Sequence, residues 1–97
     1  MAVYVVAQGR VDDRALLDQY VKHAVRSIGS AGGKIIGFDE SAEVIEGSVE
    51  HPRTVIVEFE SRAAFDAWYH SPEYQDVIQM RFDSAPGTLV LVDGIAR

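Results

Sequence analysis

Three of the four β-rich runs in this chain carry apolar side chains on both of their faces. In the first run Val3, Val5 and Ala7 share one face, and Tyr4 and Val6 share the other. Val55, Val57 and Phe59 oppose Ile56, while Leu89 and Leu91 oppose Val90 and Val92. Successive strand residues point to opposite sides of a sheet, so a sheet wetted on one side alternates apolar with polar residues. Here both sides need a cover. The alternative is that alternation over such short runs assigns faces too coarsely.

The segments between these runs show how much cover the chain supplies for itself. Val3 to Gln8 reads as a strand bounded by Gly9. Asp12 or Asp13 then caps a helix to about Ser30, with Leu17, Val21, Ala24 and Ile28 on one stripe. Gly29, Gly32 and Gly33 supply its stop. Lys34 to Phe38 reads as strand, Asp39-Glu40-Ser41 as a turn or bulge, and Ala42 to Glu46 as continuing strand. Gly47 to Pro52 is a polar loop, Thr54 to Glu60 the third strand region, and Thr88 to Asp93 the last strand. Ser61 caps a second helix between the last two strands. The order β-α-β-β-α-β predicts an α+β, ferredoxin-like sandwich with a four-stranded antiparallel sheet. Two helices cover only one face of it. A monomer rarely leaves several hundred Å² of apolar surface bare, so the second face predicts a homodimer joined sheet to sheet.

The second helix contains a break. Ser71 followed by Pro72 reads as N-cap and first helical residue, because the serine oxygen accepts an orphan amide and proline has none to lose. One helix therefore ends near His70, and a second short one runs to about Arg81. The bend gathers Trp68, Tyr69, His70 and Tyr74 near a helix–helix corner.

Composition bounds the function. Ninety-seven residues suit one domain, 1–97, with a modest core helped by oligomerisation. A hydrophobic share of 47% with 25% charged residues is that of a folded chain. No apolar run approaches the roughly 20 residues of a membrane span, and no basic-then-apolar leader opens the chain, which predicts a cytoplasmic protein with no membrane partner. Zero cysteines remove disulfides, thiolate chemistry and cysteine-based zinc sites. A net charge of −6 without a Lys/Arg cluster argues against nucleic acid. The glycines at 29, 32 and 33 end a helix, whereas a phosphate cradle opens one. Three scattered histidines lack metal-ligand spacing, and the serines lack a nucleophile-elbow context. The pairs Asp12-Asp13 and Asp39-Glu40 fall at a cap and a turn, where charge is normally solvated. No metal and no cofactor is expected.

Several of these segments recur together in a known family. Ala2-Val3-Tyr4-Val5-Val6, Gly32-Gly33, Val44-Ile45-Glu46-Gly47 and Val57-Glu58-Phe59 come first. Trp68-Tyr69-His70-Ser71-Pro72-Glu73-Tyr74-Gln75, Arg81 and Leu89-Val90-Leu91-Val92-Asp93-Gly94 follow in order. The chain resembles, over nearly its whole length, the small bacterial domain of unknown function numbered 1330. Trp-Tyr-x-Ser-x-Glu-Tyr is the most specific part of the likeness. The resemblance implies a ferredoxin-like fold of the dimeric α/β-barrel superfamily, with two sheets packed face to face, and no established activity. Many family members carry Arg-Gly-Gly shortly before Glu-Gly. Phe38-Asp39-Glu40 stands near that place here, so no ligand role for that arginine carries over.

The candidate site is one pocket between helices and sheet, lined by Tyr20, Trp68, Tyr69, Tyr74 and Arg81, with His70 at its mouth. Apolar walls, hydroxyls and one cation suit a small aromatic or carboxylic ligand. Each residue also has a plain structural role. Trp68 lies on the stripe with Ala64 and Phe65, and a large ring there is ordinary core packing. Buried tyrosine hydroxyls need partners whether or not a ligand is near. Arg81 follows Tyr74 by seven residues, on the same face of a continuous helix, and either holds an anion or pairs with a carboxylate. His70 or Tyr74 would carry any proton transfer, with Arg81 steadying developing negative charge. His23 reads as a surface histidine, and His51 and Arg53, flanking Pro52, as exposed loop residues. Two functions remain open. One is a cofactor-independent enzyme such as the monooxygenases, isomerases and cyclases of the wider superfamily, and the other is a ligand-binding or accessory module without chemistry.

Overall fold

In the computed structural model, which describes residues 1–95, the sheet has the strand order β2-β3-β1-β4 and every neighbouring pair is antiparallel. Its strands are β1 (Val3–Gly9), β2 (Lys34–Asp39), β3 (Arg53–Phe59) and β4 (Gly87–Asp93). The helices are α1 (Arg14–Ser30), α2 (Arg62–Tyr69), α3 (Pro72–Gln75) and α4 (Ile78–Ser84). This is the ferredoxin-like α+β arrangement.

Local chemistry sets the ends of the helices. The Asp13 carboxylate accepts from the Leu16 amide, so Asp13 caps α1, while Asp12 pairs with Arg10. Ser61 and Ser71 cap α2 and α3 by accepting from the amides of Ala64 and Tyr74. Helix α1 stops in a Schellman turn: the Gly33 amide reaches the Ile28 carbonyl at 2.9 Å and the Gly32 amide reaches that of Gly29 at 3.1 Å. Gly32 sits at φ +79°, in the left-handed region. At Gly33 a Cβ would come within 2.7 Å of the Phe59 ring, so the turn lies flush against the core.

Two expectations are corrected. Residues Ala42 to Glu46 do not continue β2 but belong to the irregular connection between β2 and β3, with Val44 and Ile45 exposed. The ladder ends at Asp39 opposite Thr54, and Pro52 has no amide to extend it. A single bond, Ala42 N–H to the Pro52 carbonyl, closes the neck of that connection. Nor does one helix run from Pro72 to Arg81. Val77 is buried, and short i→i−3 bonds from Val77 to Tyr74 and from Met80 to Val77 tighten the backbone, so α4 begins anew at Ile78. The seven-residue interval from Tyr74 to Arg81 is therefore not a helical repeat.

The core lies between the helices and one face of the sheet. Val3, Val5, Val57 and Phe59 meet Ala24, Ile28, Phe65, Trp68 and Tyr74 there. Phe59 lies against both Phe65 and Trp68, with ring centroids 5.9 and 5.4 Å away. The opposite face bears a central row, Ile56, Val6 and Val90, flanked on one side by Glu58, Tyr4 and Val92 and on the other by Gln8, Thr54 and Thr88 as a polar row. Among the described residues no helix lies over it, and Val90 and Val92 are about half exposed, at 50% and 47%. Among the described residues no helix is long and apolar enough to cross a membrane.

Candidate functional site

Beneath α1 the sheet is not fully filled. A cavity of about 290 Å³ opens there, walled by Leu17, Val21 and Ala24 from α1 and by Val5, Ala7 and Val55 from the sheet. Ile35 and Phe38, exposed on the edge strand β2, form part of its lining. The polar and amphipathic side chains on its wall are Tyr20, Arg53, Trp68 and Arg81, and among the described residues no Asp, Glu or His lines it.

Tyr20 enters from α1, and its hydroxyl meets that of Tyr74 at 2.8 Å. Burial, and after it the adjoining Tyr74 hydroxyl, push the Tyr20 phenol far above its ordinary value, while Arg81 and Arg53 pull it down by less. Tyr74 itself is fully buried behind the cavity, its ring 4.1 Å from that of Trp68. Trp68 borders the cavity, yet its indole N–H is held by the Ser27 hydroxyl at 3.0 Å, and that hydroxyl donates to the Ala24 carbonyl. Its first role is to tie α2 to α1.

The residues expected in one pocket divide between two. Tyr20, Trp68 and Arg81 line the cavity beneath α1. Tyr69 and His70 line a separate, more open groove of about 400 Å³, together with Arg62, Phe82 and Leu91. Arg81 borders both spaces. The cause is helix geometry: consecutive residues splay by about 100°, so Trp68, Tyr69 and His70 cannot all face one space. Tyr69 instead stacks on Phe65, with centroids 5.6 Å apart. His70 is the C-cap of α2 and exposed.

Arg53 is the residue that reading the loop missed. It is the first residue of β3 and not an exposed loop position, and only 13% of its side chain is accessible. Strand alternation carried the signal, because Arg53 shares a face with Val55, Val57 and Phe59. Glu40 stands 3.4 Å from Arg53 Nε, close enough for an ion pair but without hydrogen-bond geometry. Arg14 grips the same carboxylate with two bonds, of 3.0 and 3.2 Å. Hydrogen bonding from Arg14 first, aided by the charges of Arg53 and Arg14, holds the Glu40 carboxyl below its ordinary value against the opposing desolvation. The cluster joins the start of α1 to the connection after β2, beside Phe38.

Among the described residues no three His, Asp or Glu side chains gather as metal ligands. No curated protein matches the chain. Its fold is similar to that of a protein of unknown function from Rhodopseudomonas palustris (TM-score 0.81, 16% identity, covering 99% of this chain and 84% of that one). It is also similar to a dimeric ferredoxin-like protein of unknown function from Jannaschia sp. CCS1 (TM-score 0.68, 16% identity, 97% and 100% covered). A dimeric ferredoxin-like protein of unknown function from Thermobifida fusca is a third (TM-score 0.60, 13% identity, 95% and 88% covered). Identities this low carry the fold and nothing finer. The family model described as Domain of unknown function (DUF1330) matches residues 2–95, nearly the whole sequence, and the chain belongs to that family.

Proposed function

We propose that the protein is a homodimer paired through the open faces of its sheets, each subunit holding a small aromatic or carboxylic ligand in the cavity beneath α1. The cavity carries this reading. It is apolar nearly throughout, with Tyr20, Arg53 and Arg81 among its few polar groups, the mixture typical of small-molecule sites. An engineered apolar cavity of about 150 Å³ takes up benzene, so 290 Å³ suits one ring with a short chain.

Holding a ligand fits this wall better than turning it over. No carboxylate or imidazole lines the cavity to move a proton at neutral pH. Burial keeps the Tyr20 phenol protonated, and the Tyr74 hydroxyl is already engaged with it. His70 and Tyr69 lie on the other groove. The dimer is supported by the apolar rows around Val6 and Val90, whose pairing would bury the usual 800 Å² or so per partner. Two of the similar structures are described as dimeric.

Light scattering on a size-exclusion column should give twice the 10.7 kDa chain mass. A monomer at micromolar concentration removes the dimer. Thermal-shift titration with one-ring probes, neutral and acidic, tests the cavity, and mass spectrometry of the purified protein should find a bound metabolite of that class. No shift with any such probe removes the ligand.

A further inference from the structure

We infer that the ligand of this cavity carries a carboxylate, held at Arg81 with Arg53 alongside, an inference that rests on the cavity being a binding site. In a chain of net charge −6, two guanidiniums line a largely apolar wall. The Nε atom of each is shut off from solvent and has no hydrogen-bond acceptor among the described residues. The two arginines are not equivalent. Arg53 has Glu40 at 3.4 Å and lies 5.1 Å from the centre of the Phe38 ring. Because Arg14 shares that carboxylate, Arg14, Glu40 and Arg53 together retain one positive charge. Arg81 makes no salt bridge among the described residues and lies 4.9 Å from the centre of the Phe82 ring.

A half-desolvated cation without a counter-ion is costly, and an anion that supplies the missing acceptors removes much of that cost. Tyr20, whose hydroxyl meets that of Tyr74 at 2.8 Å, lines the same cavity as both arginines. One free guanidinium and one already shared with Glu40 match a single carboxylate better than a doubly charged phosphate. The apolar wall beyond them calls for a hydrocarbon body.

Calorimetric titration at neutral pH with phenylpropanoate and with phenylpropanol, which differ only in the head group, tests the inference. The acid should bind about tenfold more tightly or better, the scale of one charge-assisted hydrogen bond. Arg81→Gln should abolish that preference and leave binding of the alcohol intact, which also shows that the variant has folded. Equal binding of acid and alcohol by the native protein overturns the carboxylate and keeps the cavity. A preference that survives Arg81→Gln overturns the role of Arg81. Failure of both probes overturns the cavity itself. Should Arg81→Gln not fold, the native comparison still decides, and raised salt should weaken the acid alone.

Discussion

The two faces of the sheet look alike in the sequence and differ in the folded chain. Val5 and Val90 are both strand valines, and their side chains point to opposite sides. Val5 is 2% exposed beneath the helices, whereas Val90 is 50% exposed on the face that no helix crosses. Apolar patterning therefore says that a face must be covered without saying by what. The covered face is also the one left incompletely filled. The cavity lies there, between α1 and the sheet, with the half-exposed Ile35 and Phe38 of the edge strand β2 in its lining.

Placing the same charge on each face tests this difference most severely. Val5→Asp should unfold the chain, because an isolated buried carboxylate costs a large part of the 5–15 kcal/mol or so that holds a domain together. Circular dichroism and urea titration would show it, and a cooperatively folded Val5→Asp would mean that the helix-side face is not the core. Val90→Asp should leave the fold intact and halve the mass in light scattering. If it remains a dimer, the open face is not the interface. Ser71→Ala addresses the helical cover rather than the sheet. The Ser71 hydroxyl accepts from the Tyr74 amide and donates to the Trp68 carbonyl, so its loss should lower the unfolding free energy from urea titration by about 0.5–2 kcal/mol. A change below a few tenths would remove Ser71 as the support of that corner.

The smallest effect belongs to Glu40. Its folded-state value is lowered, so its contribution is present above the ordinary glutamate value of 4.5 and is lost as pH falls through the lower folded value. The side chain is 47% exposed, so solvent screening limits the contribution to about 1 kcal/mol or less. Urea midpoints for Glu40→Gln should converge with those of the native protein as the pH drops below that range. A gap that stays constant into acid would mean that the Arg14–Glu40–Arg53 cluster contributes nothing through charge.

The parts of the fold legible in the sequence depend on near neighbours. Asp13, Ser61 and Ser71 cap helices through amides three residues away, and the glycine turn after α1 closes within six residues. The misread stretch, Ala42 to Glu46, has strand-like residues but no strand opposite it to pair with. A local pattern cannot report a missing partner. The candidate site divides in the same way. Trp68 and Tyr74 are conspicuous as residues, yet their neighbours across the fold, Ser27 and Tyr20, lie 41 and 54 positions away.

The sequence by itself therefore determined the β-α-β-β-α-β order, the caps at Ser61 and Ser71 and the apolarity of both sheet faces, because each depends on periodicity or on contacts within a turn. Tertiary structure alone decided which face the helices cover, and it separated Tyr69 and His70 from Tyr20 at the cavity. It also turned Arg53 from a loop cation into part of the wall. Those outcomes depend on how α1 and the α2–α4 segment settle on the sheet, and packing between residues far apart in sequence sets that arrangement.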